Sequence, residues 1–167
     1  MNNIDTFLII YMIFGRVFEL FLSNKNTIKL KKMGAVEYFP FHYKFIVIFH
    51  SFFLTFFFVK SLYAEYYNPS VLLVFFLIQI LRYKVISDLG KFWTTRIIVL
   101  ENQPMIKKGI YKYFRHPNYF VVFAEILLVC LFFGDFQMLF FFSILNLVLI
   151  FVRIYFEEKA NFNRRKN

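Results

Sequence analysis

The chain has 167 residues, of which 60% are hydrophobic and 24% aromatic, and its net charge is +10. A soluble domain is about 45–50% apolar, so this composition, with 28 phenylalanines, excludes an ordinary soluble fold and indicates a surface that lies in hydrocarbon. The basic residues occur in short segments beside apolar runs, as in the cytoplasmic loops of membrane proteins, which argues against a nucleic-acid partner.

Five apolar segments are candidates for membrane spans, because a helix needs about 20 mostly apolar residues to cross the hydrocarbon core. Gly134 and Asp135 separate the last two and signal a turn, so these two helices are expected to form a hairpin. The first run lacks a basic segment and a small-residue cleavage site, and we expect a retained span. The sequence predicts an all-α membrane protein with about five transmembrane helices, at residues 4–22, 45–63, 69–86, 117–133 and 136–156.

The distribution of charge predicts the orientation of these spans. With five spans, the basic residues of segments 23–44 and 82–116 and of the C-terminal end fall on one side of the membrane. The opposite side carries Asp5, Glu65 and Asp135. The positive-inside rule then places the N-terminus outside and the C-terminus in the cytoplasm. We expect a single domain over residues 1–167, with a two-span part at 1–68 and a second part at 69–162.

Ionisable and polar residues inside the spans are candidates for function, since burying them in lipid costs several kcal/mol. Glu125 has no basic residue within one helical turn, so its partner must come from another helix or from a ligand. Structural ion pairs and snorkelling at the interface are the alternative explanation for the others. The ionisable and polar residues inside the spans or at their ends are Arg16 with Glu19, Gln79 with Arg82, Glu125, and Arg153 with Glu157 and Glu158.

The stretch from residue 109 to residue 119 is the most specific feature of the chain. Pro117 suits the first position of a helix and keeps His116 outside it. The free backbone N–H groups at such an entrance favour an anion such as a carboxylate, and Arg115 adds a positive charge. Tyr111, Tyr113 and Tyr119 supply flat surfaces for a ring. The stretch suits a zwitterionic, aromatic cofactor, although an interfacial aromatic belt with a snorkelling arginine is the alternative.

This stretch resembles the signature of the isoprenylcysteine carboxyl methyltransferase family, Gly-x-Tyr-x-x-x-Arg-His-Pro-x-Tyr followed by an apolar hairpin and a Glu-Glu pair. The resemblance covers residues 79–160, about half of the chain, with Phe120 where many members have glycine. The segments 16–20 and 34–43 are similar to a bacterial branch that includes alkylpyrone O-methyltransferases. The matching residues are Gly109, Tyr111, Arg115, His116, Pro117, Tyr119, Glu157 and Glu158.

The resemblance implies an S-adenosylmethionine-dependent O-methyltransferase that needs no metal and acts on a carboxylate, enol or phenol of a lipophilic acceptor from the membrane. No two glycines have the spacing of a Gly-x-Gly-x-x-Gly turn, so a soluble-type donor domain is excluded. We expect Trp93 to flank the adenine together with Tyr113, and His42 and His50 to be further candidates for a base. The expected donor-binding residues are Tyr113, Arg115, His116, Pro117, Asn118, Tyr119, Glu157 and Glu158, and the expected catalytic residues are Arg153, Glu157 and Glu125.

Two other functions remain open at this point. Membrane sterol reductases carry a similar Arg-His-Pro-like turn and acidic pair and use NADPH. A small non-enzymatic membrane scaffold would explain the hydropathy but not the clustered polar residues. Under the first interpretation, the partners are a lipophilic small molecule and membrane lipids, and the protein lies in a bacterial cell membrane with its active site facing the cytoplasm. The sequence names neither the acceptor nor the oligomeric state.

Overall fold

The computed structural model describes residues 4–63, 67–101, 103–162 and 164, and most of them are helical. Four of the helices are long and apolar enough to cross a membrane, and a fifth is shorter. This agrees with the predicted all-α membrane class. Glu65 and two of the basic residues at the C-terminal end, Arg165 and Lys166, lie outside the described residues. The helices are α1 (Ile4–Lys32), α2 (Pro40–Ser61), α3 (Ser70–Leu89), α4 (Pro117–Phe132) and α5 (Phe136–Ala160).

The helix α1 continues well beyond the predicted apolar span, which ends at residue 22. Its polar second part contains no glycine or proline, so nothing in the sequence breaks the helix before Gly34, which has a φ of 89°. Three lysines lie in its last turn, where positive charge is favoured by the helix dipole. This polar extension provides the surface on which the loops of the site rest.

The short helix α4 packs against both α3 and α5. Its 16 residues correspond to about 24 Å of helix, less than the ~30 Å hydrocarbon core. Gly134, with a φ of 62°, turns the chain, and the Asp135 carboxylate accepts a hydrogen bond from the Met138 backbone N–H at 3.0 Å. Lys60 of α2 forms an ion pair with Asp135. The turn is thus capped and tied to a neighbouring helix.

An aromatic core fills one end of the bundle, which we call the hairpin end. It lies where the Thr6 hydroxyl approaches the Ser61 carbonyl oxygen at 3.4 Å and the α4–α5 turn closes. Phe142 is fully buried there, and its ring packs edge-to-face on that of Phe53 with centroids 5.0 Å apart. Such edge-to-face pairs add about 0.5–1.5 kcal/mol beyond the area that they bury. This packing fixes the helices at the end opposite the site.

The loops gather at the other end of the bundle, which we call the loop end. Two short strands, β1 (Val36–Glu37) and β2 (Ile98–Val99), pair antiparallel there. On α1, the buried Asn26 side chain donates to the backbone carbonyl of Trp93 at 2.8 Å, and Ser23 contacts Thr95 at 2.8 Å. The pairing of β1 with β2 is not predictable from the sequence, because two-residue strands carry no periodic pattern. The contacts of Asn26 and Ser23 hold Trp93 and Thr95 against α1.

Candidate functional site

The entrance of α4 forms one wall of the candidate site. His116 is the N-cap residue and Pro117 follows at the first helical position, as the sequence predicts. The rings of His116 and Tyr119 stack with centroids 5.4 Å apart. The side-chain oxygen of Asn118 is buried and has no hydrogen-bond partner among the described residues. Buried polar atoms are normally paired, so this oxygen is available to a ligand.

The acidic end of α5 forms the opposite wall. His116 Nε2 lies 2.9 Å from a carboxylate oxygen of Glu158, and His116 Nδ1 lies 3.8 Å from one of Glu157. The Tyr119 hydroxyl donates a hydrogen bond to the other oxygen of Glu157. The structure therefore brings together the motif before α4 and the Glu-Glu pair, although they are far apart in sequence.

Arg153, one turn before Glu157, is buried and held at two points. Its Nε donates to the Tyr119 hydroxyl oxygen at 3.3 Å, and its Nη1 lies 2.7 Å from Nε2 of His42. An arginine guanidinium is always protonated and only donates, so His42 Nε2 is the acceptor and the ring proton is on Nδ1. A neutral His42 thus fixes the orientation of a permanent positive charge.

A cavity of about 240 Å³ connects these groups. Its polar side carries the motif residues Arg115 to Tyr119 together with Arg153 and Glu157, and Trp93 closes another side. The remaining lining includes apolar side chains of α2 and α5, among them Leu54 and Leu149, and the charged side chains of Arg16, Glu19 and Arg82. One cavity therefore joins a charged region at the loop end to an apolar region within the bundle.

Three predicted site residues, Tyr113, Glu158 and Glu125, do not line this cavity. Tyr113 is 76% exposed, and the Lys112 ammonium lies over its ring at 5.8 Å from the centroid. Glu158 contacts His116 but is not among the residues that line the cavity. Of the two residues expected to flank the adenine, Trp93 is buried and lines the cavity, whereas Tyr113 is exposed and does not line it.

Glu125 belongs to a buried cluster of charges that links α1, α3 and α4. It pairs with Arg16 at 2.7 Å and with Arg82, and it accepts a hydrogen bond from Gln79 at 2.7 Å. Glu19 pairs with the same two arginines. Two arginines and two glutamates sum to zero formal charge, which suits burial in a membrane. Because both Glu125 oxygens are engaged, this geometry favours a structural role over that of a base.

Several cavity residues were given no role from the sequence, including Tyr43, Thr94, Thr95 and Asn146. Tyr111, which the family signature contains, also lines the cavity. Burial, with a smaller contribution from the charge of Glu157, raises the pKa of Tyr111 above its usual range, so the phenol stays protonated. For Asn146 a signal existed, since it is the polar amide in the middle of the apolar run of α5.

The structure gives a physical reason for the glycine of the motif. Gly109 has a φ of 55°, which L side chains rarely adopt. A Cβ atom on it would overlap the carboxylate of Asp88. That carboxylate accepts a hydrogen bond from the Ile110 backbone N–H at 2.8 Å. The end of α3 is thereby joined to the turn that leads into His116.

We expect Gly109→Ala to lower the thermal stability of the protein and to weaken ligand binding at the entrance of α4. The left-handed conformation alone costs a non-glycine residue about 1–2 kcal/mol, and the overlap with Asp88 must also be relieved. Gly15→Ala is the matched control, since nothing lies within 4 Å of its added Cβ. Thermal melting of both variants in detergent tests this, and equal melting temperatures for Gly109→Ala and wild type would contradict it.

The chain is similar to known proteins over most of its length. The sequence profile of the isoprenylcysteine carboxyl methyltransferase (ICMT) family matches residues 71–162. The uncharacterized protein YpbQ of Bacillus subtilis (strain 168) is 38% identical over 162 residues, which cover 92% of this chain and 94% of that protein. An uncharacterized protein of Haemophilus influenzae is 29% identical over 114 residues, 64% of each chain.

Proposed function

The chain belongs to the isoprenylcysteine carboxyl methyltransferase family, and from this premise we propose that it transfers a methyl group from S-adenosylmethionine to an oxygen of a lipophilic acceptor. Methyltransferases of this family use S-adenosylmethionine. The acceptor oxygen, a carboxylate or an enol or phenol, is part of the proposal. The observation that carries it is the convergence of His116, Asn118 and Glu157 on one cavity.

The residues present suit the polar part of this donor. The unpartnered oxygen of Asn118 can accept a hydrogen bond from the donor's amino group, and the backbone N–H groups at the start of α4 favour its carboxylate. Glu157 and Glu158 are acceptors for ribose hydroxyls or for the amino group. Trp93 supplies a buried flat surface beside the adenine. The cavity thus offers complementary partners to the amino group and the carboxylate of the donor.

The protein's own contribution is mainly positioning and exclusion of water. S-adenosylmethionine supplies an activated methyl group, so an O–CH₃ bond forms as the S–CH₃ bond breaks and the electron pair stays on sulfur. Arg153, held by Tyr119 and His42, presents a fixed positive charge that stabilises an anionic acceptor oxygen. An acidic enol or a carboxylate is already ionised near neutral pH and needs little help from a base.

We propose that the acceptor reaches the cavity from the bilayer. The apolar wall between α2 and α5, which includes Val47, Leu54, Leu149 and Ile150, suits an alkyl or prenyl tail. The polar head would then face Arg153 while the tail stays in hydrocarbon. An acceptor related to alkylpyrones, as the resemblance of the N-terminal half implies, fits this route.

The proposed location is a bacterial cell membrane, with the active site on the cytoplasmic side. The similar proteins come from bacteria. The loop end carries the basic last turn of α1 and the ion pairs of Glu37 with Lys31 and Arg96. Positive charge marks the cytoplasmic side, so the N-terminus would lie outside. The division into a two-span part, residues 1–68, and a donor-binding part, residues 69–162, belongs to the same proposal.

Equilibrium binding of labelled S-adenosylmethionine to the purified protein in detergent tests the donor. We expect saturable binding that unlabelled S-adenosylhomocysteine displaces, because both ligands share the groups contacted by the proposed site. NADPH should not compete. Saturable binding of labelled NADPH would instead support a reductase, and binding of neither ligand would favour a scaffold.

A further inference from the structure

A second polar position lies in the cavity, about two turns of α5 closer to the hairpin end than Arg153. Asn146 of α5 is 1% exposed and lines the cavity. Its side-chain nitrogen is buried and has no hydrogen-bond partner among the described residues. Leaving such a donor unpaired carries a free-energy cost, and the same face of the cavity is lined by the apolar side chains of Leu149 and Ile150. A ligand atom that accepts a hydrogen bond would remove this cost.

His50 of α2 lies at the level of Asn146. Two contacts define how α2 and α5 align: His42 meets Arg153 at 2.7 Å, and the Phe53 ring meets that of Phe142 at 5.0 Å. The two helices are antiparallel, so residue numbers rise along α2 from His42 to Phe53 while they fall along α5 from Arg153 to Phe142. His50 therefore falls opposite Asn146, and both line the same cavity.

The two side chains have complementary hydrogen-bonding character. His50 Nδ1 lies 2.8 Å from the carbonyl oxygen of Ile46, which can only accept, so Nδ1 carries the proton. In the neutral ring Nε2 is then an acceptor. The amide nitrogen of Asn146 is a donor. A hydroxyl group both donates and accepts, so it is the oxygen function that suits this pair.

Asn146 and Arg153 are seven residues apart and share one face of α5. Their Cα atoms are separated by about 10 Å along the helix axis. An acceptor whose reacting oxygen is at the tip of Arg153 would extend the rest of its head toward Asn146. The side chains of Arg153 and Asn146 both extend into the cavity, so the distance between their polar atoms is shorter than that between their Cα atoms. An acceptor whose ring carries oxygens on two sides is suitable for this distance.

We propose that Asn146 and His50 form a second polar subsite that binds a hydroxyl group of the acceptor, distinct from the oxygen that is methylated. The acceptor class is then a lipid whose ring head carries at least two oxygen functions, and a simple long-chain acid does not fulfil this requirement. The inference rests on the proposed function for what enters the cavity. Binding at this subsite does not itself require methyl transfer.

The test compares two lipids that differ by one hydroxyl group, pentadecylresorcinol and pentadecylphenol. Trp93 is the only tryptophan and lines the cavity, so its fluorescence reports binding. We expect wild-type protein to bind the resorcinol about tenfold more tightly than the phenol, the usual size of one hydrogen bond to a buried group. Asn146→Leu should remove this difference by weakening resorcinol binding, with phenol binding unchanged.

Thermal melting separates this role from a structural one. Since the Asn146 nitrogen has no partner in the described structure, Asn146→Leu should melt at the wild-type temperature or above it. If the leucine variant does not fold, Asn146→Ala replaces it in the same comparison. The proposal is overturned if wild type binds both lipids equally or neither, or if the variant keeps the preference. S-adenosylmethionine binding is measured in the same samples, so loss of the donor function is seen separately.

Discussion

His116→Ala and Glu157→Ala are each expected to weaken the binding of S-adenosylmethionine strongly. His116 connects the entrance of α4 to both acidic residues at the end of α5, at 2.9 Å and 3.8 Å. Glu157 in turn receives the hydrogen bond of the Tyr119 hydroxyl. Removing either side chain deletes a ligand contact and frees the partners that shape the wall. A hydrogen bond to a charged group is worth about 1.5–3 kcal/mol, so affinity should fall more than about tenfold.

Glu101→Ala is the matched control for the loss of a carboxylate. Glu101 is exposed, and its hydrogen bond with the Tyr38 hydroxyl is long, at 3.5 Å. This variant should bind the donor as wild type does. Isothermal titration calorimetry of the three variants in the same detergent gives the comparison. Wild-type affinity in both His116→Ala and Glu157→Ala would remove the assignment of the site.

Glu125→Leu is expected to destabilise the folded protein by about 3–5 kcal/mol, the cost of leaving a buried charge without its partner. Glu125 is 2% exposed and Arg82 is 4% exposed. The substitution leaves Arg16 and Arg82 with Glu19 as their only carboxylate in the cluster. One positive charge is then uncompensated inside the bundle. Thermal melting and size-exclusion profiles in detergent measure the loss.

A double substitution tests whether charge balance is the cause. Glu125→Leu combined with Arg82→Leu leaves Arg16 and Glu19, which are 3.3 Å apart and neutral as a pair. The double variant should recover part of the stability that the single variant loses. A single variant as stable as wild type, or a double variant less stable than the single one, would show that the cluster does not stabilise the fold in this way.

The sequence predicts where the helices lie but not where all of them end. Hydropathy marks the part of α1 that contacts lipid, whereas the helix itself stops only near Gly34, where a positive φ becomes necessary. Pro40 begins α2 five residues before the predicted apolar span at 45, because proline suits a first helical position. For α4, Pro117 and the turn at Gly134 fixed both limits closely.

The sequence likewise predicts one part of the candidate site but not the other. The Arg-His-Pro turn and the Glu-Glu pair were recognisable as a pattern, and the structure brings His116, Tyr119 and Glu157 together. The positions of Thr95 and Asn146 at the cavity depend on how helices pack, which single-sequence periodicity does not report. The exposure of Tyr113 could not be predicted either, because in a short turn the backbone angles of each residue decide where its side chain lies.

The arrangement divides the protein into two regions with different tasks. Aromatic packing around Phe142 and the neutral charge cluster around Arg82 hold the helices together. The loops at the other end, tied to α1 through Asn26, shape the polar cavity. Substitutions in the first region should therefore change stability, and those around His116 should change binding and turnover with smaller effects on stability.

Transfer of a labelled methyl group to lipid tests the central claim most directly. The purified protein is incubated with methyl-labelled S-adenosylmethionine and a lipid extract from membranes of the source cells, and the organic phase is counted. We expect label in a lipid product that increases with wild-type protein and is absent with His116→Ala. Donor binding without any label in the lipid phase would contradict a methyltransferase that takes its acceptor from the membrane.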